Sequence, residues 1–508
     1  MKRSVYAFVL AVLLVLLSIP AINIITAPNK GAIKLTEKSF LYNMDFVSRW
    51  TARLLYPLGV STDPDQVIVG KDNWLYLGDM YKNTLSDDRR TATDSDVATA
   101  KQMAAATRNW EAYLAGKGVK VFRIMIGPNK GSIYPEHMPN WAKPASLNPT
   151  DALLAEAGQG SFIDLRPPLL AAKDAHRETL YFKTDTHWNA LGAGVAFRAF
   201  AQEVGKVAPE LRWPSAEVYE VARIKPIEGG DLARFLRLTA SLSDEAPIIG
   251  VGNLPVKTTQ VDFTTQQVLA QGDNPEVGSP NKPILVKSAG ALNDKKVLWL
   301  RDSFGSAMSP LMAATFGEVL QLHWSVATQP GGSFTQLVEA FKPDYVFITV
   351  VEREARALWS SDIPPIGVIP KGEHFKTASV ASSAEPNQLA PGPSMNEYEI
   401  QGDDAYVDFK FTSTDARLPA QYLNIDLTCA DGSSSVPVQL FWLKDGQPYF
   451  DETNSVRFSL RTGQSLIDLQ TIPRWPHGSD VRRVRVDIEA VNSCVRFTLG
   501  SPSFGMQN

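Results

Sequence analysis

Apolar residues run almost unbroken from Val5 to Ile25, directly after Lys2 and Arg3. A helix of that length crosses a hydrocarbon core of about 30 Å. Residues 1–28 are read as an N-terminal signal anchor, with a cleaved signal peptide as the alternative. From Val67 the pattern shortens to strand-like alternation, "VIVGKDNWLYLG", around a Lys71-Asp72-Asn73 turn. Apolar spacing of three and four then predicts a helix through "ATAKQMAAATRNWEAYLAGKG", stopped by Gly116 and Gly118, followed by the buried strand "VKVFRIMIG". The alternation continues through "SFIDL", the helix "ALGAGVAFRAFAQEVG", the strand-to-helix run "KKVLWLRDSFGSAMSPLMAATF" and the helix-to-strand run "SFTQLVEAFKPDYVFITVV". Such units predict an α/β sandwich with a mostly parallel sheet over residues 60–365, interrupted by a Gly- and Thr-rich insertion at about 226–290.

Past this the pattern changes. Residues 366–395 include "SVASSAEPNQLAPGPSMN", without periodicity and rich in Ser, Pro and Ala, and are read as a linker. Residues 396–508 hold only short alternating runs separated by turn signals, the profile of an all-β sandwich of jelly-roll, carbohydrate-binding-like type.

Composition sharpens this picture in three ways. With 508 residues, 44% hydrophobic and 20% charged, the chain is globular and holds more than one domain. A net charge of −4 without local Lys/Arg runs excludes nucleic acid as an expected partner. The only two cysteines, Cys429 and Cys494, both lie in the β region, and after an export signal they predict a disulfide in an oxidising compartment.

Candidate chemistry begins at "TDTHWN". An Asp two positions before a His arises cheaply, as Asp174-Ala175-His176 shows, but that pair falls on a helix, where such residues point apart. Asp185 and His187 instead precede a helix that Asn189 is suited to cap, so their side chains can project together. An Asp accepting from Nδ1 fixes the imidazole tautomer and leaves Nε2 to take a proton from a nucleophile. Ser303 is the candidate, at a turn where an apolar strand meets a helix, although "RDS" also reads as a plain N-cap. Asn129 and Lys130 follow a strand at its carboxyl end and are candidate donors to an oxyanion or an acidic sugar. Arg353 follows another strand and is a candidate for a substrate carboxylate, with Glu352 or Glu354 as competing partners. Trp188 lines the pocket or packs on the sheet. Trp442, Tyr449, Arg474 and Trp475 are a candidate sugar platform. No metal is expected, because Asp185 and His187 lack further ligands nearby in sequence.

"DTHWN" before a helix and "RDSF" at a strand-to-helix turn, with "GKDNWLYL" and "GPNKGSIYPE" upstream, resemble the SGNH-hydrolase-like polysaccharide O-acetyltransferases of the alginate type. "GDLARF" and "PDYVFITVVER" also fit, and the resemblance spans residues 60–355. It implies an SGNH-like fold, an Asp185/His187/Ser303 triad without cofactor, and acetyl transfer to an exported polysaccharide. It further implies a periplasmic enzyme held at the inner membrane, with a multi-pass membrane acyltransferase as acetyl donor. A polysaccharide acetylesterase with the same triad, or a non-catalytic polysaccharide-binding or assembly protein, are the alternatives. One position departs from the family pattern: Arg301 stands where a Gly commonly precedes Asp-Ser.

Overall fold

The computed structural model describes residues 2–27, 33–157, 160–328, 333–356, 366–372, 374–411, 420–432, 435–444, 446–472, 474–476, 481–489 and 494–507. The apolar N-terminal run is a single helix, Lys2–Ile25, whose stretch Val5–Ile25 is long and apolar enough to cross a membrane and is not buried against the rest of the described residues. The short helix Lys38–Leu41 is followed by the helix Asp45–Leu55 and then by the hairpin Val67–Val69 with Leu75–Leu77, paired antiparallel around the Lys-Asp-Asn turn.

An eight-stranded sheet forms the centre, in the order Phe162–Asp164, Val121–Gly127, Tyr345–Val351, Asn293–Arg301, Phe316–Leu322, Ile284–Ala289, Lys257–Asp262, Val268–Gly272. Its first five strands are parallel and its last three antiparallel. The sheet is therefore mixed, not mostly parallel as the alternation predicts. The difference has a physical source: the five parallel strands are joined through helices, whereas the last three come from the 226–290 interval, whose short connections allow only hairpin-type pairing.

Period-two alternation sorts the strand residues onto two apolar layers. In Tyr345–Val351, Tyr345, Phe347 and Val351 pack on one face with Leu169, Phe197, Phe200 and Leu311. Val346, Ile348 and Val350 pack on the other with Trp110, Leu153, Leu337 and Phe341. The helices Arg166–Ala175 and Ala190–Gly205 thus cover one face, and Asp94–Gly116 and Phe334–Phe341 the other.

The segment 366–395 is not a linker. It contributes strands Val368–Pro370, Phe375–Asn387 and Leu389–Pro391 to the β region. The strand Phe375–Asn387 pairs first with Ser503–Gln507 and then with Tyr406–Phe411, so it passes from one sheet to the other. Ser, Ala and Pro conceal it because most of its side chains face solvent, where no apolar alternation is required. Between the sheets lie Val407, Leu423, Ile425, Leu440, Val484 and Phe497. Cys429 and Cys494 are joined in a disulfide, Cα–Cα 5.4 Å, beside the pairing of Cys429 with Phe497.

Candidate active site

Three neighbouring parallel strands end at the same edge of the sheet. Val351 is in register with Gly127, and Arg301 with Thr349, so the segments that follow carry Asn129, Arg353 and Ser303 out at one level. Crevices at the carboxyl ends of such strands are where open α/β sheets place ligands.

Ser303 opens a tight 3-10 turn, Ser303–Gly305. Asp302 caps it: Oδ1 accepts from the N–H of Phe304 (2.9 Å) and Oδ2 from the N–H of Val351 (2.7 Å). The capping role that "RDS" suggests thus falls to Asp302, and the Ser303 hydroxyl is left to donate to Nε2 of His187 at 2.8 Å. On the far side of the imidazole, Nδ1 donates to Oδ1 of Asp185 at 2.6 Å, and the same oxygen accepts from the His187 N–H at 2.9 Å.

The loop bearing Asp185 and His187 is closed by the bridge between Tyr181 and Trp188, and Asn189 caps the next helix by accepting from the N–H groups of Leu191 and Gly192 (3.0 and 3.1 Å). His176 ends its own helix on the surface, away from this site.

Burial disfavours a charge on His187, but the Asp185 hydrogen bond and the carboxylates of Asp185 and Asp231 outweigh it, against Arg353, and hold its pKa above the ordinary value. Burial likewise raises Asp185, yet the contact with His187 and the N–H groups of Asp231 and His187 hold it well below the carboxylate range. The pair is thus set to form an imidazolium beside a carboxylate when a proton leaves Ser303.

Residues 67–277 match a family described as "SGNH hydrolase-like domain, acetyltransferase AlgX". The segment carries an SGNH-hydrolase-like domain of the AlgX/AlgJ type. Asp185 and His187 lie inside the matched span, and Ser303 lies beyond it. The chain is 30% identical to the "Probable alginate O-acetylase AlgJ" of Pseudomonas syringae pv. tomato over 186 residues, 36% of this chain and 44% of that protein. It is 28% identical to the protein of the same name from Pseudomonas putida over 237 residues, 46% of this chain and 56% of that one. The solved O-acetyltransferase domain of Pseudomonas putida AlgJ aligns with a TM-score of 0.37 at 19% identity, covering 58% of this chain and 94% of that one. The chain spans about half the length of the curated relatives it matches.

Within the AlgX/AlgJ-type domain, Asp231 is the residue that sequence reading missed. It comes from "GDLARF", and its Oδ1 accepts from the N–H of Thr186 (2.8 Å) and its Oδ2 from the Thr186 hydroxyl (2.6 Å). Its own N–H donates to Oδ2 of Asp185 (2.9 Å), and its Oδ2 stands 3.8 Å from Nδ1 of His187. Gly230 permits this approach, since a Cβ there would lie 2.4 Å from that of Asp185. Asp185, His187 and Asp231 bring ligand atoms within 4.8 Å of one another, a third ligand that spacing along the chain does not reveal. All four carboxylate oxygens already accept internal hydrogen bonds, the pattern of a network that orients an imidazole.

Lys130 is placed differently from the sequence expectation of a substrate-facing ammonium. It is buried, and Nζ donates to the carbonyl oxygens of Phe182 (3.0 Å), Lys183 (2.9 Å) and Asp185 (2.7 Å), so all three of its protons hold the loop that bears Asp185 and His187. Burial brings its pKa down to about 8, against the pull of Asp185, Asp231 and Asp244. Trp188 does not line the pocket either. Its indole is buried, edge-on to Tyr181 and Phe304, because the isolated bridge turns it under the loop.

Asn129 is buried with Nδ2 directed at Asp88 (3.2 Å), while its N–H donates to Glu352 (2.8 Å). Glu352 is thereby spent on the Asn129 turn and Ser132, and Arg353 forms no ion pair with it or with Glu354 among the described residues. Arg353 instead reaches Asn129 Oδ1 (3.5 Å) and lies over the ring of Phe304 (5.9 Å). A cleft beside the imidazole loop is lined by Tyr76, Asp88, Asn129, Thr186 and Arg353.

Arg301, the departure from the family pattern, is fully buried behind the serine turn, where Nη1 donates to the carbonyl of Asp302 (3.2 Å). Its guanidinium donates to Gln321 Oε1 (2.8 Å) and to the carbonyls of Val277 (2.7 Å) and Gly278 (2.9 Å), and lies over Trp299. In the β region Trp442 and Trp475 are buried against each other, ring centroids 5.1 Å apart, so they belong to the core and not to a sugar platform. Tyr449 and Arg474 are exposed.

Proposed function

We propose that this chain is a periplasmic O-acetyltransferase, anchored to the inner membrane by Val5–Ile25, that transfers acetyl groups to hydroxyls of an exported polysaccharide. The observation that carries this reading is the contact of His187 with Ser303 on one side and Asp185 on the other. Residue order and the relatives' names support it.

In the proposed reaction Ser303 Oγ attacks the acetyl carbonyl of an ester or thioester donor while its proton passes to His187 Nε2. The donor's leaving group takes that proton, and acetyl-Ser303 remains. A sugar hydroxyl then attacks the acetyl carbon, giving its proton to Nε2, and Ser303 recovers its proton as the new ester departs. The Ser303 N–H at the turn is the proposed oxyanion donor, joined by the Asn129 amide when Nδ2 turns from Asp88. Arg353, a half-buried cation without an ion-paired carboxylate among the described residues, suits an anionic acceptor or the developing oxyanion. A multi-pass membrane acyltransferase is the proposed source of acetyl groups, and Tyr449 and Arg474 remain candidate sugar contacts of the β region.

The test is Ser303→Ala in a polymer-producing cell, reading acetyl esters per sugar and polymer yield. Loss of acetyl groups at unchanged yield is expected. A rise in acetyl content would assign an esterase, and no change would overturn a catalytic role.

A further inference from the structure

The helix Asp45–Leu55 and the 3-10 turn Tyr56–Leu58 that continues it have two unlike faces. One is tied to the catalytic domain. Ala52 is buried among Val67, Leu75, Leu232 and Leu236, Asp45 accepts from Arg237 Nε at 2.6 Å, and Arg53 Nε donates to the Ser241 hydroxyl at 3.3 Å. On the opposite side Val47, Trp50, Leu54 and Leu58 recur at spacings of three and four and so form one stripe. Trp50, Leu54 and Leu58 are 71%, 72% and 71% exposed. Isolated apolar residues on a surface are ordinary, but an aligned stripe containing a tryptophan marks an interaction face.

What covers this face follows from where it stands. Asn23, near the carboxyl end of the apolar helix, donates from Nδ2 to the carbonyls of Leu41 (2.9 Å) and Asn43 (3.0 Å). Asn43 in turn caps the start of the next helix, its Oδ1 accepting from the N–H of Asp45 (2.7 Å). The amphipathic helix therefore begins at the level where the apolar helix ends. If Val5–Ile25 spans a bilayer, that level is the interface, where tryptophan and aliphatic side chains are both stabilised.

We propose that Asp45–Leu58 lies on the lipid surface through the stripe of Val47, Trp50, Leu54 and Leu58, and so holds the AlgX/AlgJ-type domain against the membrane in a fixed orientation. The inference rests on the reading of Val5–Ile25 as an anchor. Its consequence is that the domain does not swing freely on residues 26–44, and that the site faces the membrane at a constant angle.

The test uses the full chain in vesicles of phosphatidylethanolamine and phosphatidylglycerol. Both native cysteines are joined to each other, so Leu54→Cys, and separately Val47→Cys, introduces a single thiol for an environment-sensitive fluorophore. Lys206→Cys, at an exposed position on another helix, is the aqueous reference. Lipids brominated on their acyl chains are expected to quench the probes at 54 and 47 about threefold more than the probe at 206, and iodide in solution correspondingly less. A probe at 54 as open to iodide as that at 206 overturns the proposal, as does one shielded from both quenchers, which would indicate a protein cover. Release of the chain by alkaline extraction of the vesicles would overturn the anchor itself, whereas retention with a water-exposed probe sinks only the surface helix.

Discussion

The indole N–H of Trp188 donates to the carbonyl oxygen of Phe304 at 2.9 Å, tying the residue after His187 to the residue after Ser303. His187 and Ser303 come from loops 116 residues apart, and this bond fixes one against the other from beneath. Trp188→Phe keeps an aromatic ring but leaves a buried carbonyl without its donor and a partly filled space. A loss of about 2–4 kcal/mol in chemical denaturation is expected. Hydrolysis of a chromogenic acetyl ester should fall about tenfold or more in kcat, because reacting groups displaced by a fraction of an ångström lose their alignment. A raised KM at unchanged stability would instead return Trp188 to the pocket wall.

Asp231 places a second carboxylate 3.8 Å from Nδ1 of His187 and shares Thr186 with it. Neutral His187 is the form that accepts the Ser303 proton, so activity falls as pH drops through its raised pKa. Asp231→Asn removes one of the two charges that favour the imidazolium, leaving Asp185, with Arg353 still opposing. The acid limb of the kcat/KM profile is therefore expected to move to lower pH. Stability carries the same sign: a pKa held above the unfolded value of 6.5 contributes its full stabilisation below that pH and loses it as pH rises through the folded value. An unshifted acid limb in Asp231→Asn would reduce Asp231 to a loop cap.

Gly305 and Arg301 explain each other. A Cβ at 305 would lie 2.3 Å from Cδ of Arg301 and 2.8 Å from Trp299, and the guanidinium of the arginine is fixed by hydrogen bonds to Gln321 and Val277. The chain thus keeps the tight serine turn with Arg before Asp302 because Gly305, two residues after Ser303, yields the space. Gly305→Ala is expected to cost about 1–3 kcal/mol. In an Arg301→Ala background the added cost should shrink, which a double-mutant cycle of unfolding free energies reads directly.

How far the site was legible depends on how its residues are linked. Asp185 and His187 are two positions apart, and Ser303 sits at a strand-to-helix change, so local pattern exposes all three. Asp231 lies 46 residues beyond Asp185 in an interval without strong periodicity, and only the folded loop shows that it faces His187. Lys130 looked like a substrate cation because a lysine after a strand usually meets water. Its three carbonyl acceptors belong to a loop more than 50 residues away. The sheet's antiparallel half escaped for a related reason. "KTTQVD" and, at the sheet edge, "VLAQG" are polar strands whose direction is set by pairing, the first with Ile284–Ala289 and the second with the first, not by their own alternation. The strand Phe375–Asn387 was hidden by exposure on most of its length.

The disulfide between Cys429 and Cys494 closes a loop across a separation of 65 residues and lies in the sandwich core with Tyr398 and Phe497. Constraining an unfolded chain over that span stabilises a fold by about 4 kcal/mol. Among the described residues, none of the hydrogen bonds of Asp185, His187 or Ser303 reaches this region. Reduction, or the pair Cys429→Ala with Cys494→Ala, is therefore expected to lower the unfolding temperature of the β region while leaving ester hydrolysis near its native rate at 25 °C. Two-transition calorimetry with a parallel activity assay reads both quantities. Loss of activity in step with the first transition would mean that the β region supports the catalytic domain and does not stand as a separate cooperative unit.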